Sequence, residues 1–189
     1  DLKKIFESGI FSSGEYCQLF KHQLSESLGV KYSHLTTSAT TALWLCLKLF
    51  NIGASDEVIV SDFSFPATAN VIEDLGAKPI FADVSLLTFN MNPNELISLI
   101  TSRTKAVIFV DALGNPSGIK TIQEICNLNN IPLIEDAACA IGSQIYGKHC
   151  GSYSDLACIS FHPRKLICTG EGGSILTKDI EHSKWLEIK

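Results

Sequence analysis

Residues 105–110 read KAVIFV and residues 131–136 read IPLIED, and these two stretches decide the fold class. Each is a short apolar run that lacks the polar alternation of a strand with one solvent-exposed face. Such runs predict strands that are covered on both sides, as in parallel sheets. Similar runs occur at 57–60, 78–82, 156–161 and 173–177.

Segments with apolar residues at helical spacing separate the predicted strands. Gly29 is placed to end the first helix, and Asn92 followed by Pro93 is typical of a helix start. Alternating strands and helices predict an α/β fold of three layers (αβα), with helices on both faces of a mostly parallel sheet. Ligands bind at the carboxyl ends of the strands in such sheets. The predicted helices span 15–28, 38–50, 67–75, 94–100 and 119–129.

The composition is that of a globular protein and disfavours several functional classes. The chain has 189 residues, of which 46% are hydrophobic and 19% charged, and its net charge is −5. An acidic chain without a basic block is a poor match for nucleic acid or an anionic membrane. No apolar run reaches the ~18 residues of a membrane span, and no apolar signal core follows the N-terminus. We expect no nucleic-acid partner, no membrane insertion and a cytoplasmic location.

Seven cysteines are present, and their pattern argues against a disulfide scaffold or a metal site. Their number is odd, and no pair has the C-x-x-C spacing of a metal-binding knuckle. We expect reduced thiols, several of them buried as small apolar side chains, and no bound metal. The cysteines are Cys17, Cys46, Cys126, Cys139, Cys150, Cys158 and Cys168.

Both ends of the chain are expected to lie inside a longer protein. Residue 1 is Asp rather than Met, and residues 185–189 resemble part of a helix without a terminating glycine.

Polar groups follow three of the predicted strands. Residues 36–42 (TTSATTA) form a hydroxyl-rich turn into a helix, which is typical of N-capping and also of phosphate binding. Residues 135–139 (EDAAC) end a buried strand with carboxylates, which need a capping donor, a salt bridge or a protonated pyridine nitrogen. Residues 160–165 (SFHPRK) place a lysine on a turn before the glycine-rich residues 169–173 (TGEGG). Lys165 is by default a surface lysine, and a Schiff-base lysine is the functional alternative.

These motifs together point to one family. The chain resembles the DegT-type nucleotide-sugar aminotransferases, which are fold-type-I (aspartate aminotransferase-like) enzymes that use pyridoxal 5'-phosphate (PLP). The resemblance implies a PLP-binding large domain at 31–189, an N-terminal segment and helix at 1–30, and the absence of the C-terminal small domain. The matching motifs are SATTAL at 38–43, FPATAN at 65–70, GNP at 114–116, EDAA at 135–138, SFHPRK at 160–165 and TGEGG at 169–173.

The resemblance also implies roles for individual residues. Lys165 is expected to carry PLP as a Schiff base and to move protons, and Asp136 is expected to pair with the pyridine nitrogen. Ala39 and Thr40 are expected to hold the phosphate through a backbone N–H and a hydroxyl, and Ser160 adds a second hydroxyl.

Two further positions are implied to contact the cofactor ring. Phe65 is expected to stack on one face of the ring, and the alternative is an ordinary core aromatic. Cys139 stands near the ring or its 3-hydroxyl, where the family usually has Gln, Glu or His, so a weak S–H donor replaces a strong one. The turn at 111–114 (DALG) also departs from the family's commoner HLYG, and a different substrate is one explanation.

The implied activity is transfer of an amino group from an amino acid, by family habit glutamate, to a nucleotide-linked keto-sugar, in a homodimer. The span by itself is expected to be weak or inactive. A PLP-dependent sugar dehydratase is the nearest alternative, but those relatives carry His at the position of Lys165. A non-catalytic or regulatory protein of the same fold is a second alternative. A nicotinamide-binding domain is disfavoured, because no G-x-G-x-x-G turn follows the first strand.

Overall fold

A computed structural model describes residues 2–188, which form a seven-stranded sheet flanked by helices and a separate two-stranded hairpin. Strands β6 and β7 make the hairpin, and the other strands make the sheet. The strands are β1 (Tyr32–Thr36), β2 (Glu57–Ser61), β3 (Lys78–Ala82), β4 (Thr104–Val110), β5 (Leu133–Asp136), β6 (Gln144–Ile145), β7 (Lys148–His149), β8 (Leu156–Ser160) and β9 (Gly173–Thr177).

Helices connect most of the strands, and local signals explain where several of them begin and end. Helix α2 ends at Gly29, whose φ of 64° is a left-handed conformation that glycine adopts without strain. Asn92 caps α5 by accepting a hydrogen bond from the Asn94 N–H. The helices are α1 (Leu2–Ser8), α2 (Glu15–Leu28), α3 (Ala39–Leu49), α4 (Pro66–Asp74), α5 (Pro93–Leu99), α6 (Ile119–Leu128) and α7 (Ile180–Glu187).

The strand order of the sheet is β1-β9-β8-β5-β4-β2-β3. Strands β8, β5, β4, β2 and β3 are parallel, whereas β9 runs antiparallel to both β8 and β1. The carboxyl ends of β4, β5 and β8 therefore meet at one edge of the sheet. Val110 is in register with Asp136, and Asp136 with Cys158.

Apolar cores cover both faces of the sheet. Ile108 and Phe109 are adjacent in β4 and fully buried, but they belong to different cores on opposite faces. Leu47 of α3 packs on the first face, and Ile122 of α6 packs on the second. A third core lies beneath α2, where Leu24 packs with residues of β8. Burial on both faces is the physical reason for the continuous apolar runs.

The three-layer α/β fold with a mostly parallel sheet is confirmed. The run at 131–136 becomes a strand only from Leu133, because Pro132 has no N–H for the ladder. The hairpin of β6 and β7 was not predicted, since two-residue strands carry no readable alternation. Helix α1 was not predicted either, and none of its side chains is buried. Within residues 2–188, no helix has both the length and the apolar character that a membrane span requires.

Candidate active site

A cavity of about 460 Å³ opens at the edge where the carboxyl ends of β4, β5 and β8 meet. This is the position at which parallel α/β sheets bind ligands. Every residue to which the sequence assigned a catalytic or cofactor-binding role borders the cavity. These residues are Ala39, Thr40, Phe65, Asp136, Cys139, Ser160 and Lys165.

Asp136 is a buried carboxylate at the end of β5, with 6% of its surface exposed. Its Oδ2 accepts a hydrogen bond from Thr68 Oγ1 at 2.8 Å, and its Oδ1 accepts one from the Ala138 N–H at 3.2 Å. No lysine, arginine or histidine forms a salt bridge with it in the part of the chain that the structure describes. The salt-bridge interpretation is therefore wrong, and backbone capping explains one oxygen only.

Burial raises the pKa of the Asp136 carboxyl, while the bonds from Thr68 and Ala138 and the charge of Lys165 oppose that rise. A buried carboxylate of this kind gains stability from a cationic N–H partner. The cavity is the side from which such a partner can approach.

Lys165 lies on the turn that follows β8. Its backbone N–H donates to His162 O at 2.8 Å, which closes the turn. Its Nζ lies 2.9 Å from Cys139 Sγ, and both residues border the cavity. The default interpretation of a surface lysine is thus replaced by an amine that faces the same cavity as Asp136.

The N-terminus of α3 forms another wall. Ser38 caps the helix, because its hydroxyl accepts a hydrogen bond from the Thr41 N–H at 3.1 Å. The capping interpretation of this turn is therefore correct for Ser38. Ala39 and Thr40 lie in the first turn of α3, where N–H groups have no partner within the helix and the helix dipole attracts anions. Capping and anion binding are compatible at this turn because different residues serve them.

Strand β9 passes directly behind this turn. A Cβ atom on Gly173 would lie 2.5 Å from the Ser38 carbonyl carbon and 2.6 Å from the Ala39 nitrogen. Glycine is therefore required at 173 by the close approach of two backbones. Ser160, at the end of β8, also borders the cavity.

Phe65 is not a core aromatic, since 68% of its surface is exposed. It precedes α4 as the N-cap residue, and Pro66 begins the helix. The ring lines the cavity beside Phe63, which packs against Phe89 with ring centroids 5.1 Å apart. Leu113 also lines the cavity, with 78% of its surface exposed and a left-handed φ of 56°.

Three ionisable side chains form a group that the sequence did not predict, and one of them, Asp111, borders the cavity. Asp111, Glu135 and Cys150 are buried, and one potential metal-ligand atom of each lies within 4.8 Å of the other two. Glu135 Oε1 accepts a hydrogen bond from the Gly151 N–H at 2.6 Å, and Oε2 accepts one from Ser154 Oγ at 3.1 Å. Both oxygens of Asp111 are buried and have no such partner. No local sequence signal joins three positions so far apart in the chain.

The seven cysteines are all unbonded. Cys46 Sγ and Cys158 Sγ lie 3.6 Å apart in the core, which is far longer than the ~2.05 Å of a disulfide bond. Cys139 and Cys168 are exposed, Cys17 is half-buried, and the others are buried.

Comparison with known proteins agrees with this geometry. Residues 1–188 match the sequence profile of the DegT/DnrJ/EryC1/StrS aminotransferase family. The chain belongs to this family. The DegT-family chain is 38% identical to GDP-perosamine synthase of Escherichia coli O157:H7 over 170 residues, which are 90% of this chain and 47% of that protein. It is 34% identical over 182 residues to dTDP-4-dehydro-2,3,6-trideoxy-D-glucose 4-aminotransferase of Saccharopolyspora spinosa, covering 95% of this chain and 47% of that protein.

Solved structures of the family share the fold. A DegT DnrJ EryC1 StrS aminotransferase from Brucella abortus superposes with a TM-score of 0.95 at 34% identity, covering 98% of this chain and 52% of that one. NtdA from Bacillus subtilis, solved with the bound cofactor PMP, gives a TM-score of 0.92 at 33% identity over 98% of this chain and 42% of that one. These matches confirm the fold-type-I class. The DegT-family chain spans about half the length of the curated relatives it matches.

Proposed function

We propose that the cavity binds PLP and that the protein is an aminotransferase. The observation that carries the proposal is that the buried Asp136 carboxylate, without a salt bridge, borders the same cavity as the Lys165 amine. Asp136 offers a partner for a protonated pyridine nitrogen, and Lys165 offers an amine for an aldehyde. The relative NtdA, which has the same fold, was solved with PMP.

The other lining residues fit the remaining parts of the cofactor. The Ala39 N–H and the Thr40 hydroxyl are at a helix N-terminus, which suits a phosphate. The Ser160 hydroxyl supplements them. The exposed Phe65 ring offers an aromatic face, and the Cys139 thiol is a weak donor beside Lys165. The PLP-binding unit is proposed to be residues 31–189, with residues 1–30 as the N-terminal segment and helix.

PLP, when bound, supplies an electron sink that weakens bonds at the α-carbon of an amino acid. Lys165 Nζ would hold the cofactor covalently, and its amine would serve as the base at the donor's α-carbon. Asp136, as a carboxylate, would pair with the protonated pyridine nitrogen. Thr68 and Ala138 keep both carboxylate oxygens oriented.

The substrates proposed for the whole protein are an amino-acid donor, by family habit glutamate, and a nucleotide-linked keto-sugar. The names of the relatives support this substrate class, since they include a GDP-perosamine synthase and a dTDP-sugar 4-aminotransferase. We further propose a cytoplasmic homodimer. Seven unbonded cysteines are consistent with a reducing compartment.

Two alternatives lead to different results. A sugar dehydratase on this fold is disfavoured, because the chain has a lysine at 165. A non-catalytic protein of the same fold is expected not to bind PLP. The weak thiol donor at Cys139 is the feature that keeps this alternative open.

The first experiment measures visible absorption after addition of PLP. We expect the wild type and Lys105→Ala to show the band of a lysine Schiff base, and Lys165→Ala to lack it. Lys105 is the matched control because it is an exposed lysine in β4, outside the cavity. If Lys165→Ala still shows the band, Lys165 is not the residue that forms the Schiff base. Assays of nucleotide-linked keto-sugars with glutamate then identify the acceptor.

A further inference from the structure

The group formed by Asp111, Glu135 and Cys150 adjoins the cavity, which Asp111 borders, and it has no part in the proposed chemistry. Asp111 is 1% exposed, and both Glu135 and Cys150 are fully buried. Asp111 follows β4, and its N–H donates to Asp136 O at 3.1 Å. Glu135 immediately precedes Asp136 in β5. Both residues are thus joined through their main chains to the backbone of Asp136.

Two neighbouring buried carboxyl groups cannot both be charged without a cation. Neither Asp111 nor Glu135 forms a salt bridge with any basic side chain between residues 2 and 188. The charged or titratable groups that act on Asp111 are Glu135, Asp136 and Cys150. Glu135 also faces Ser154. Lys178 interacts with Glu135 electrostatically but forms no salt bridge with it. One proton must therefore reside on the pair.

Hydrogen bonding decides which carboxyl group holds this proton. Glu135 already accepts hydrogen bonds at both oxygens, as a carboxylate does, from Gly151 and Ser154. No N–H or O–H group between residues 2 and 188 donates to either oxygen of Asp111, and the Cys150 thiol beside it is only a weak donor. If the proton resides on Asp111, its O–H donates to Glu135. The Asp111 carboxyl then has a hydrogen-bond partner, and Glu135 is the acceptor. In agreement, burial and the nearby Glu135 raise the pKa of Asp111 to about 10.

We propose that Asp111 is a neutral carboxylic acid that donates its proton to Glu135, and that this pair positions Asp136. Through Gly151 and Ser154, Glu135 holds the turn that follows the hairpin against the end of β5. Loss of the Asp111 proton puts two negative charges at this point and displaces the strand end. The positioning role rests on the proposed function, whereas the protonation state does not.

A bound metal ion is the competing explanation for this group. The Gly151 N–H donates to Glu135 Oε1 at 2.6 Å. Its hydrogen carries a partial positive charge and occupies the position from which a cation would bind this oxygen. Metal analysis of the purified protein decides this point. A stoichiometric transition metal that is lost in Cys150→Ser overturns the proton assignment.

The protonation state is tested without PLP, by urea unfolding of the wild type and Asp111→Asn between pH 5 and 9. The unfolded chain releases the Asp111 proton above pH ~4, whereas the folded chain keeps it until about pH 10. The wild-type unfolding constant is therefore expected to rise by up to about tenfold per pH unit relative to that of Asp111→Asn. Equal pH slopes in the two proteins overturn the proposal.

Infrared spectroscopy of the wild type keeps the proposal testable if a variant does not fold. We expect the C=O band of a protonated carboxyl group at pH 7. Absence of this band overturns the assignment, and its loss in Asp111→Asn assigns it to Asp111.

The positioning role is tested by PLP affinity at pH 7. Asp111→Ala removes the proton that Asp111 donates to Glu135, and we expect PLP to bind about tenfold more weakly than to the wild type. The amide of Asp111→Asn donates a hydrogen bond in place of the acid and is expected to restore most of the affinity. Wild-type affinity in Asp111→Ala overturns the positioning role. If the wild type binds no PLP, the proposed function is wrong. The pH dependence of unfolding and the infrared band still test whether Asp111 is protonated.

Discussion

At the scale of single residues, the charge of Asp136 depends on a hydroxyl that belongs to another element. Thr68 is fully buried in α4, and it donates to Asp136 across a sequence separation of 68 residues. This hydrogen bond favours the charged carboxylate against the effect of burial. A charged Asp136 is the form that pairs with a protonated pyridine nitrogen.

The hydroxyl of Thr68 can be removed with little change in shape. A hydrogen bond to a charged group contributes roughly 1.5–3 kcal/mol, so we expect Thr68→Val to raise the Kd for PLP by about tenfold or more. Thr68→Ser keeps the hydroxyl and serves as the control, with a Kd close to that of the wild type. Equal Kd values for the valine and serine variants, measured by fluorescence titration, contradict this role for Thr68.

The thiol of Cys139 offers a second test at the residue scale. Cys139 and Cys168 are the two exposed cysteines, and only Cys139 borders the cavity. We expect a thiol-reactive dye to label these two rapidly in the native protein and all seven cysteines after unfolding. PLP is expected to protect Cys139 and to leave Cys168 reactive, as peptide mass mapping can show. Unchanged labelling of Cys139 in a PLP-saturated sample argues against the proposed placement of the cofactor.

At the scale of elements, the geometry of the proposed phosphate site depends on how closely β9 approaches α3. The Ser38 cap fixes the first turn of α3, and Gly173 allows the strand to pass behind it without a side chain. Neither element forms the wall of the cavity alone. The wall exists because an antiparallel strand is inserted between β1 and β8.

Gly173→Ala tests this packing directly. The added methyl group lies 2.5 to 2.7 Å from backbone atoms of Ser38 and Ala39. These atoms cannot move aside as the end of a flexible side chain can. We expect the free energy of unfolding to fall by about 1–3 kcal/mol or more, together with weaker PLP binding. Gly53→Ala is the matched control, because the nearest atom to its added Cβ is 4.0 Å away. Equal urea midpoints for the two variants contradict the close approach.

At the scale of the whole molecule, the two faces of the sheet are buried by different helices. Leu47 is fully buried in the core formed with α3, whereas Leu128 of α6 is 83% exposed. Leu47 itself does not border the cavity, so its truncation is expected to act on stability rather than on cofactor chemistry.

Leu47→Ala measures the contribution of this core. We expect a loss of about 2–5 kcal/mol in the free energy of unfolding, because the substitution leaves a cavity in close-packed surroundings. Leu128→Ala removes the same atoms from an exposed position and is expected to change stability by less than about 0.5 kcal/mol. Urea denaturation followed by circular dichroism compares the two, and similar losses would place Leu47 outside the core.

Much of the architecture is readable from the sequence alone. The helix at 15–28, the strands at 57–60, 78–82 and 173–177, and the α/β class all follow from apolar spacing and capping signals, because these are local properties of the chain. The motif residues assigned to the candidate site all border one cavity. Their chemical roles stay predictions until PLP binding is measured.

The tertiary structure alone decided what depends on strand order and on contacts between distant segments. It placed β9 antiparallel beside β1 and β8, where apolar runs alone indicate only burial. It brought Thr68 to Asp136, and it gathered Asp111, Glu135 and Cys150 into one buried group. Hydrophobic spacing encodes which side of an element is buried, but it does not encode which element becomes its neighbour. The physical reason is that a pairing between distant segments forms only when the whole sheet is assembled.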